Sequence, residues 1–127
     1  MSLPLKELTH LFKALSDPTR LRLVNVLSAQ SLCVGDLQKV LGLSQSLVSH
    51  QLAVLRAASL VRTQRQGPRV CYSLSRAPFL NYPLGKFLSE IGHFFPELEA
   101  DARKLAELKG DSTFKSDSEG FSVRLSA

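Results

Sequence analysis

The sequence predicts a mainly α domain carrying a small β-hairpin, and three observations lead there. Leucine and valine recur at helical spacing through residues 5–55, cut into short lengths by Pro, Gly and Ser. Two β-prone stretches, 60–65 and 70–74, flank a turn containing Gly67 and Pro68. A further helical periodicity runs from Phe79 to about Leu108.

Each element has a local cause. Leu5, Leu8, Leu11, Phe12 and Leu15 line one face of a first helix. Asp17 is a natural N-cap for the second, and Pro18 stands at its first position, where a missing N–H is no loss. That helix, Thr19 to about Ala29, buries Leu21, Val24 and Leu27. A third begins after Cys33, buries Val34, Leu37, Val40 and Leu41, and is closed by Gly42 in a left-handed conformation. Ser44 caps a fourth, with Val48, Leu52 and Leu55 inward. Two helices joined by so short a glycine-containing turn predict a helix-turn-helix. Leu60–Arg65 and Val70–Leu74 predict a hairpin around Gln66–Arg69, which must lean on the helices because two strands alone are marginal. Beyond Arg76-Ala77-Pro78, Pro83 and Pro96 are expected to break the helical run, giving helices at about 84–95 and 97–108. One domain is therefore expected over residues 1–108, with 109–127 a polar tail in which Phe121–Leu125 is a weak strand signal.

Charge separates along the chain. Residues 1–76 carry a balance of +7 and residues 77–127 one of −2, and no acid occurs between Asp36 and Glu90. An acid-free basic stretch is the footprint of a phosphate-contacting surface, although a solvated basic face has the same composition. Two cysteines are too few for a disulfide-stapled secreted scaffold, the N-terminus lacks a signal-peptide pattern, and no apolar run reaches the roughly 18 residues that span a bilayer. A cytoplasmic protein with reduced thiols and no membrane partner is expected.

The fourth helix carries the informative surface. Gln45, Ser46, Ser49, His50 and Gln51 share its outer side, and residues 44–55 contain no Lys, Arg, Asp or Glu. A helix that is merely exposed would normally carry Lys–Glu pairs, whereas uncharged polar side chains suit base edges in a major groove. Gln45, Ser46, Ser49 and His50 are the expected base-reading residues; Arg65, Gln66 and Arg69 at the hairpin tip are expected to touch the DNA backbone or minor groove.

Four segments resemble the ArsR/SmtB family of winged helix-turn-helix repressors. Ala14-Leu15-Ser16-Asp17-Pro18-Thr19-Arg20-Leu21-Arg22 resembles its opening signature, and Leu32-Cys33-Val34-Gly35-Asp36-Leu37 the start of its third helix. Residues 43–52 are similar to its recognition helix and residues 67–74 to its wing and closing strand. The resemblance, covering roughly residues 5–92, implies a homodimer paired through the first and C-terminal helices. It further implies an inverted-repeat operator in double-stranded DNA and release by an inducer, with DNA contacts falling on Gln45, Ser46, Ser49 and His50.

Metal sites of that family are not matched. One uses Cys-x-Cys where this chain has Cys33 and Gly35; the other needs Asp-x-His on the last helix, where only His93 occurs. His93 with Glu90 or Glu97 would be a two-ligand fragment disturbed by Pro96; it and His10 read as ordinary surface histidines. No metal or other cofactor is expected. Winged helices often pair the segment before the third helix with the wing's second strand, which would bring Cys33 and Cys71 together. The pair is then a candidate sensor of an oxidant, sulfide or an arsenical, or simply two small buried apolar residues.

No catalytic residues are expected: the chain lacks GxSxG, a Gly-rich phosphate loop, HExxH and paired carboxylates. A winged helix that docks protein, and a sequence-independent architectural DNA binder, stay open as alternatives.

Overall fold

A computed structural model describes residues 4–75 and 78–109, with the backbone alone at 78–82. Among the described residues, six α-helices and a three-stranded sheet surround a leucine-rich core. Helix α1 is Leu5–Leu15, α2 Pro18–Ala29, α3 Val34–Leu41 and α4 Gln45–Ala57; β1 is Leu32–Cys33, β2 Val61–Gln66 and β3 Arg69–Leu74. After them come α5 (Pro78–Ile91), a 3-10 turn (Gly92–Phe94) and α6 (Pro96–Lys109).

The predicted caps form. The Asp17 carboxylate accepts from the Arg20 N–H at 3.0 Å, and the Ser44 hydroxyl accepts from the Leu47 N–H at 3.2 Å. Gly42 has φ 66° and donates its N–H to the Gln38 carbonyl at 2.8 Å. The α3–α4 turn thus consumes only residues 42–44, fixing the two helices at the short span that a helix-turn-helix needs. Leu37, Val48, Leu52 and Leu55 seal that corner against Leu23 and Val24 of α2, all fully buried.

Helix α4 ends in a way that its sequence does not advertise. The Ser59 N–H donates to the Arg56 carbonyl at 2.9 Å and the Leu60 N–H to the Leu55 carbonyl at 3.0 Å, the double bond pattern of a Schellman close. Its left-handed residue is Ser59, with φ 62°, rather than glycine. Because a side chain costs about 1 kcal/mol or more in that conformation, Ser59→Gly is expected to raise unfolding stability by about 1 kcal/mol, read as a shifted urea midpoint at unchanged m-value.

Strand order is β1-β3-β2, both pairings antiparallel. The hairpin is tighter than predicted. Gln66 pairs with Arg69, so the loop is Gly67-Pro68 alone, with Gly67 at φ 64°. Gly then Pro suits a type II′ turn, in which the first residue needs positive φ and the second a φ near that of proline. Val61 and Leu74, opposite each other and buried, tie the hairpin base into the core.

The C-terminal region departs from expectation. Pro83 does not begin a helix at 84: α5 starts at Pro78 and runs through Pro83. As the sixth residue of α5, Pro83 forfeits one backbone bond within the helix, which continues through it where α5 packs on α2. The break falls instead at Gly92–Phe94, and α6 then starts on Pro96. Both α5 and α6 pack on α2, and α6 also reaches α3. Residues 110–127, including the weak strand signal at Phe121–Leu125, and residues 76–77 lie outside the described residues.

Candidate nucleic-acid interface

The outer side of α4 presents Gln45, Ser46 and His50 exposed, with Ser49 half-buried between them and the core. Gln45 donates from Nε2 to the Ser49 hydroxyl at 3.1 Å, one turn along the helix. This exposed bond orients the amide before any partner arrives, and a base edge would have to replace it. The four expected base-reading residues therefore share one side of one helix. Gln51 belongs to a different arrangement: its Oε1 accepts from Arg20 Nη1 at 2.8 Å, while Arg20 Nε donates to the Ala14 carbonyl at 2.6 Å. Arg20 thereby pins α4 to the end of α1, a role that the sequence pattern did not reveal because its partners lie 6 and 31 residues away.

At the hairpin tip Arg65 is exposed and Gln66 half-buried. Arg69, expected to touch the DNA backbone, also has a partner within the protein. Its Nη2 donates to Asp36 Oδ2 at 2.9 Å, and the Asp36 carboxylate is buried, with only 5% of its side chain exposed. Asp36 is the third residue of α3, where a carboxylate is favoured by the helix dipole, and burial makes a counter-cation necessary. Arg69 supplies it, so this pair ties the tip end of the wing to the start of α3.

A second tie lies beside it. Cys33 and Cys71 are register partners across β1 and β3, with Cα atoms 3.7 Å apart, and they form a disulfide. The expected approach of Cys33 and Cys71 is met by this strand pairing, which sets the two side chains directly opposite one another on one face of the sheet, bonded here rather than as two thiols. Both residues are buried, and Cys33 is also the N-cap of α3. Their surroundings are not purely apolar: the Ser31 and Ser73 hydroxyls, two residues along from Cys33 and Cys71 respectively, are buried without a hydrogen-bond partner. Such groups are unfavourable unless something uses them.

A further link comes from α6. Arg22 Nε and Nη2 donate to the two carboxylate oxygens of Asp101 at 2.8 and 2.9 Å, and Nη2 also donates to the Leu41 carbonyl at 2.8 Å. Leu41 is the last residue of α3, directly before the turn into α4. Hydrogen bonding to Asp101 raises the Arg22 pKa above its ordinary value, against the opposing effect of burial.

Among the described residues no group of three or more His, Cys, Asp or Glu side chains could hold a metal ion. His93 approaches Glu99 at 3.8 Å rather than Glu90 or Glu97, and Glu90 pairs with Lys86. No described helix is long and apolar enough to cross a membrane.

A sequence model for bacterial regulatory proteins of the arsR family matches residues 17–63, which run from the cap of α2 into β2. The SmtB-homolog transcriptional repressor of Synechocystis is 45% identical over 76 residues, 60% of this chain and 58% of that protein. The chain thus spans little more than half the length of that relative. The arsenical resistance operon repressor of Staphylococcus xylosus is 39% identical over 61% of this chain and 73% of its own. Among solved structures, the transcriptional regulator HlyU of Vibrio vulnificus superposes with a TM-score of 0.62 at 34% identity, covering 68% of this chain and 88% of that one. With the helix-turn-helix, the wing and these relatives in agreement, the chain belongs to the arsR family of bacterial regulatory proteins, in the winged helix-turn-helix fold.

Proposed function

We propose that this chain is a sequence-specific transcriptional repressor, acting in the cytoplasm, that grips an inverted-repeat DNA operator as a homodimer and is released by an inducer. The observation that carries this reading is the exposed, charge-free polar surface at the start of α4, set beside a wing with Arg65 at its tip. Gln45, Ser46, Ser49 and His50 read bases, Arg65 and Gln66 contact backbone, and Arg69 positions the wing through Asp36.

Affinity measured against salt tests the division of labour. Gln45→Ala is expected to cost about 1–3 kcal/mol on the preferred operator and little on scrambled DNA. Arg65→Ala is expected to weaken both alike and to reduce the slope of log K against log salt by about one. Equal binding of operator and scrambled DNA by the unmodified protein would overturn the base-reading assignment.

Dimerisation is supported by apolar surface. Leu8 and Phe12 of α1 and Phe87 of α5 are exposed around a trough of about 480 Å³ that Leu84 and Leu88 also line, and Leu5 is exposed at the start of α1. A patch of this kind on a small chain marks an interaction site. A second copy presenting the same two helices would cover it symmetrically.

The signal reaches the wing through Cys33 and Cys71. In the dithiol form the wing keeps its β1–β3 pairing and the Asp36–Arg69 tie, and closing the disulfide adds a covalent lock against α3. Diamide performs that closure, two thiols losing their hydrogens to its N=N bond to give a disulfide and a hydrazine. Treating the pre-reduced protein with diamide is expected to lower operator affinity by about tenfold, 1.4 kcal/mol, and Cys33→Ser is expected to abolish the response. An unchanged affinity in the protein whose disulfide has demonstrably formed would reject the thiol signal while leaving the DNA reading intact.

A further inference from the structure

Between α5 and α6, on the side where both rest on α2, lies an open cavity of about 580 Å³. It exists because the facing positions are small. Gly85 and Ser89 stand one turn apart on α5, and Ala102 and Ala106 one turn apart on α6. A Cβ added at Gly85 would meet the Ser28 Cβ at 3.7 Å, an ordinary contact, so close packing does not demand glycine there. What the missing side chain contributes is volume. Buried Ser28 and Leu105 supply part of the lining, one polar and one apolar.

Charge at the lining has one sign. Lys86 and Lys109 reach the cavity, as does the His93 ring, and none of the described residues that line it is an Asp or Glu. Lys86 pairs with Glu90 at 3.3 Å and His93 with Glu99 at 3.8 Å, both acids standing outside the lining and holding these side chains near the rim. Asn25, Gln30 and Ser89 add neutral hydrogen-bonding groups. An apolar interior with a few convergent polar groups, in the range of roughly 300–1,000 Å³, is the usual make-up of a small-molecule site.

The cavity is also placed to stay open in the proposed dimer. At 3.6 residues per turn, Gly85 and Ser89 lie on nearly the opposite side of α5 from Leu84 and Phe87. Its α6 wall is coupled to the DNA-reading unit. Ala102 follows Asp101, whose carboxylate holds Arg22, which in turn holds the Leu41 carbonyl at the end of α3.

We propose that this cavity binds a small amphiphilic carboxylate, its apolar body against Ala102, Leu105 and Ala106 and its charge at Lys86 and Lys109. Binding spreads α6 from α5 and, through Asp101, Arg22 and Leu41, shifts the turn that sets α4. This is an input separate from the cysteine pair. Its regulatory half rests on the operator-binding reading above; the ligand-binding half does not.

Decanoate is a suitable probe, titrated into the full chain and followed by amide chemical shifts, with decanol as its uncharged counterpart. Decanoate is expected to shift the amides of Ser28, Ser89, Ala102 and Ala106 and to bind at least about tenfold more tightly than decanol, a difference of about 1.4 kcal/mol. Ala106→Phe, which fills the space from an exposed position, is expected to abolish those shifts, and Phe12→Asp, on the opposite apolar surface, to leave them unchanged. Saturating decanoate is expected to weaken operator binding about fivefold. Shifts confined to α1 and the Phe87 side of α5, equal binding of decanol, or an Ala106→Phe protein that binds as before would each overturn the site. Binding as described with unaltered operator affinity would overturn the coupling alone. If operator preference is missing before decanoate is added, the DNA reading has failed and the site has not.

Discussion

Phe12→Asp is expected to leave the fold intact, to yield a monomer, and to lower operator affinity by about 100-fold or more. The side chain is 62% exposed, so its replacement removes little from the core. It borders the apolar trough between α1 and α5, and a carboxylate there would be desolvated in the proposed dimer, opposite its own symmetry mate. Each protomer carries one recognition helix. Separating the two turns a linked second contact into an independent one, and linkage of that kind is worth roughly 10²–10⁴ in affinity. Sedimentation at micromolar protein and anisotropy with labelled operator give the two readouts. A variant that remains dimeric would remove α1 from the interface; one that is monomeric yet binds the full operator as tightly would remove the need for a dimer.

Asp101→Ala is expected to destabilise the protein by about 2–3 kcal/mol. Removing one member of a buried ion pair costs about 3–5 kcal/mol because the other charge is left behind. Here Asp101 is almost fully buried but the Arg22 side chain is 24% exposed, so water recovers part of the loss. For a chain of this size the change corresponds to a melting temperature lower by about 10 °C, compared at equal protein concentration. The sign with pH is simple. Hydrogen bonding raises the Arg22 pKa, so its contribution is present below the unfolded value and is lost only as pH rises through the folded one, far above neutrality. The destabilisation therefore has no Arg22-dependent variation between pH 6 and 8. Unchanged melting in Asp101→Ala would mean that α6 is held by its apolar contacts, Leu98 and Leu105, rather than by the ion pair.

Elements whose causes lie within a few residues were legible in advance. Asp17-Pro18, Gly42 and Ser44 act on backbone groups three or four positions away, so the starts of α2 and α4 and the end of α3 could be read directly. The shared polarity of Gln45, Ser46, Ser49 and His50 marked the proposed reading surface for the same reason, since one helical turn brings them together. One local expectation failed, and one local feature left no signal. Pro83 was expected to end or kink the helix, but α5 runs through it at the loss of one backbone bond while packed on α2. Ser59 carries a conformation usually reserved for glycine, so the close of α4 left no mark in composition.

By itself, then, the sequence determined the helix-turn-helix, the hairpin with its Gly-Pro turn and the polar surface that faces outward from α4. Only the tertiary structure decided that Arg69 serves Asp36, that Cys33 and Cys71 are bonded as well as brought together, and that Arg22 joins α6 to the end of α3. Those partners stand 33, 38 and 79 residues apart. Periodicity and capping act over single turns of backbone, whereas a buried charge or thiol finds its partner only after strand register and helix packing have brought distant segments together.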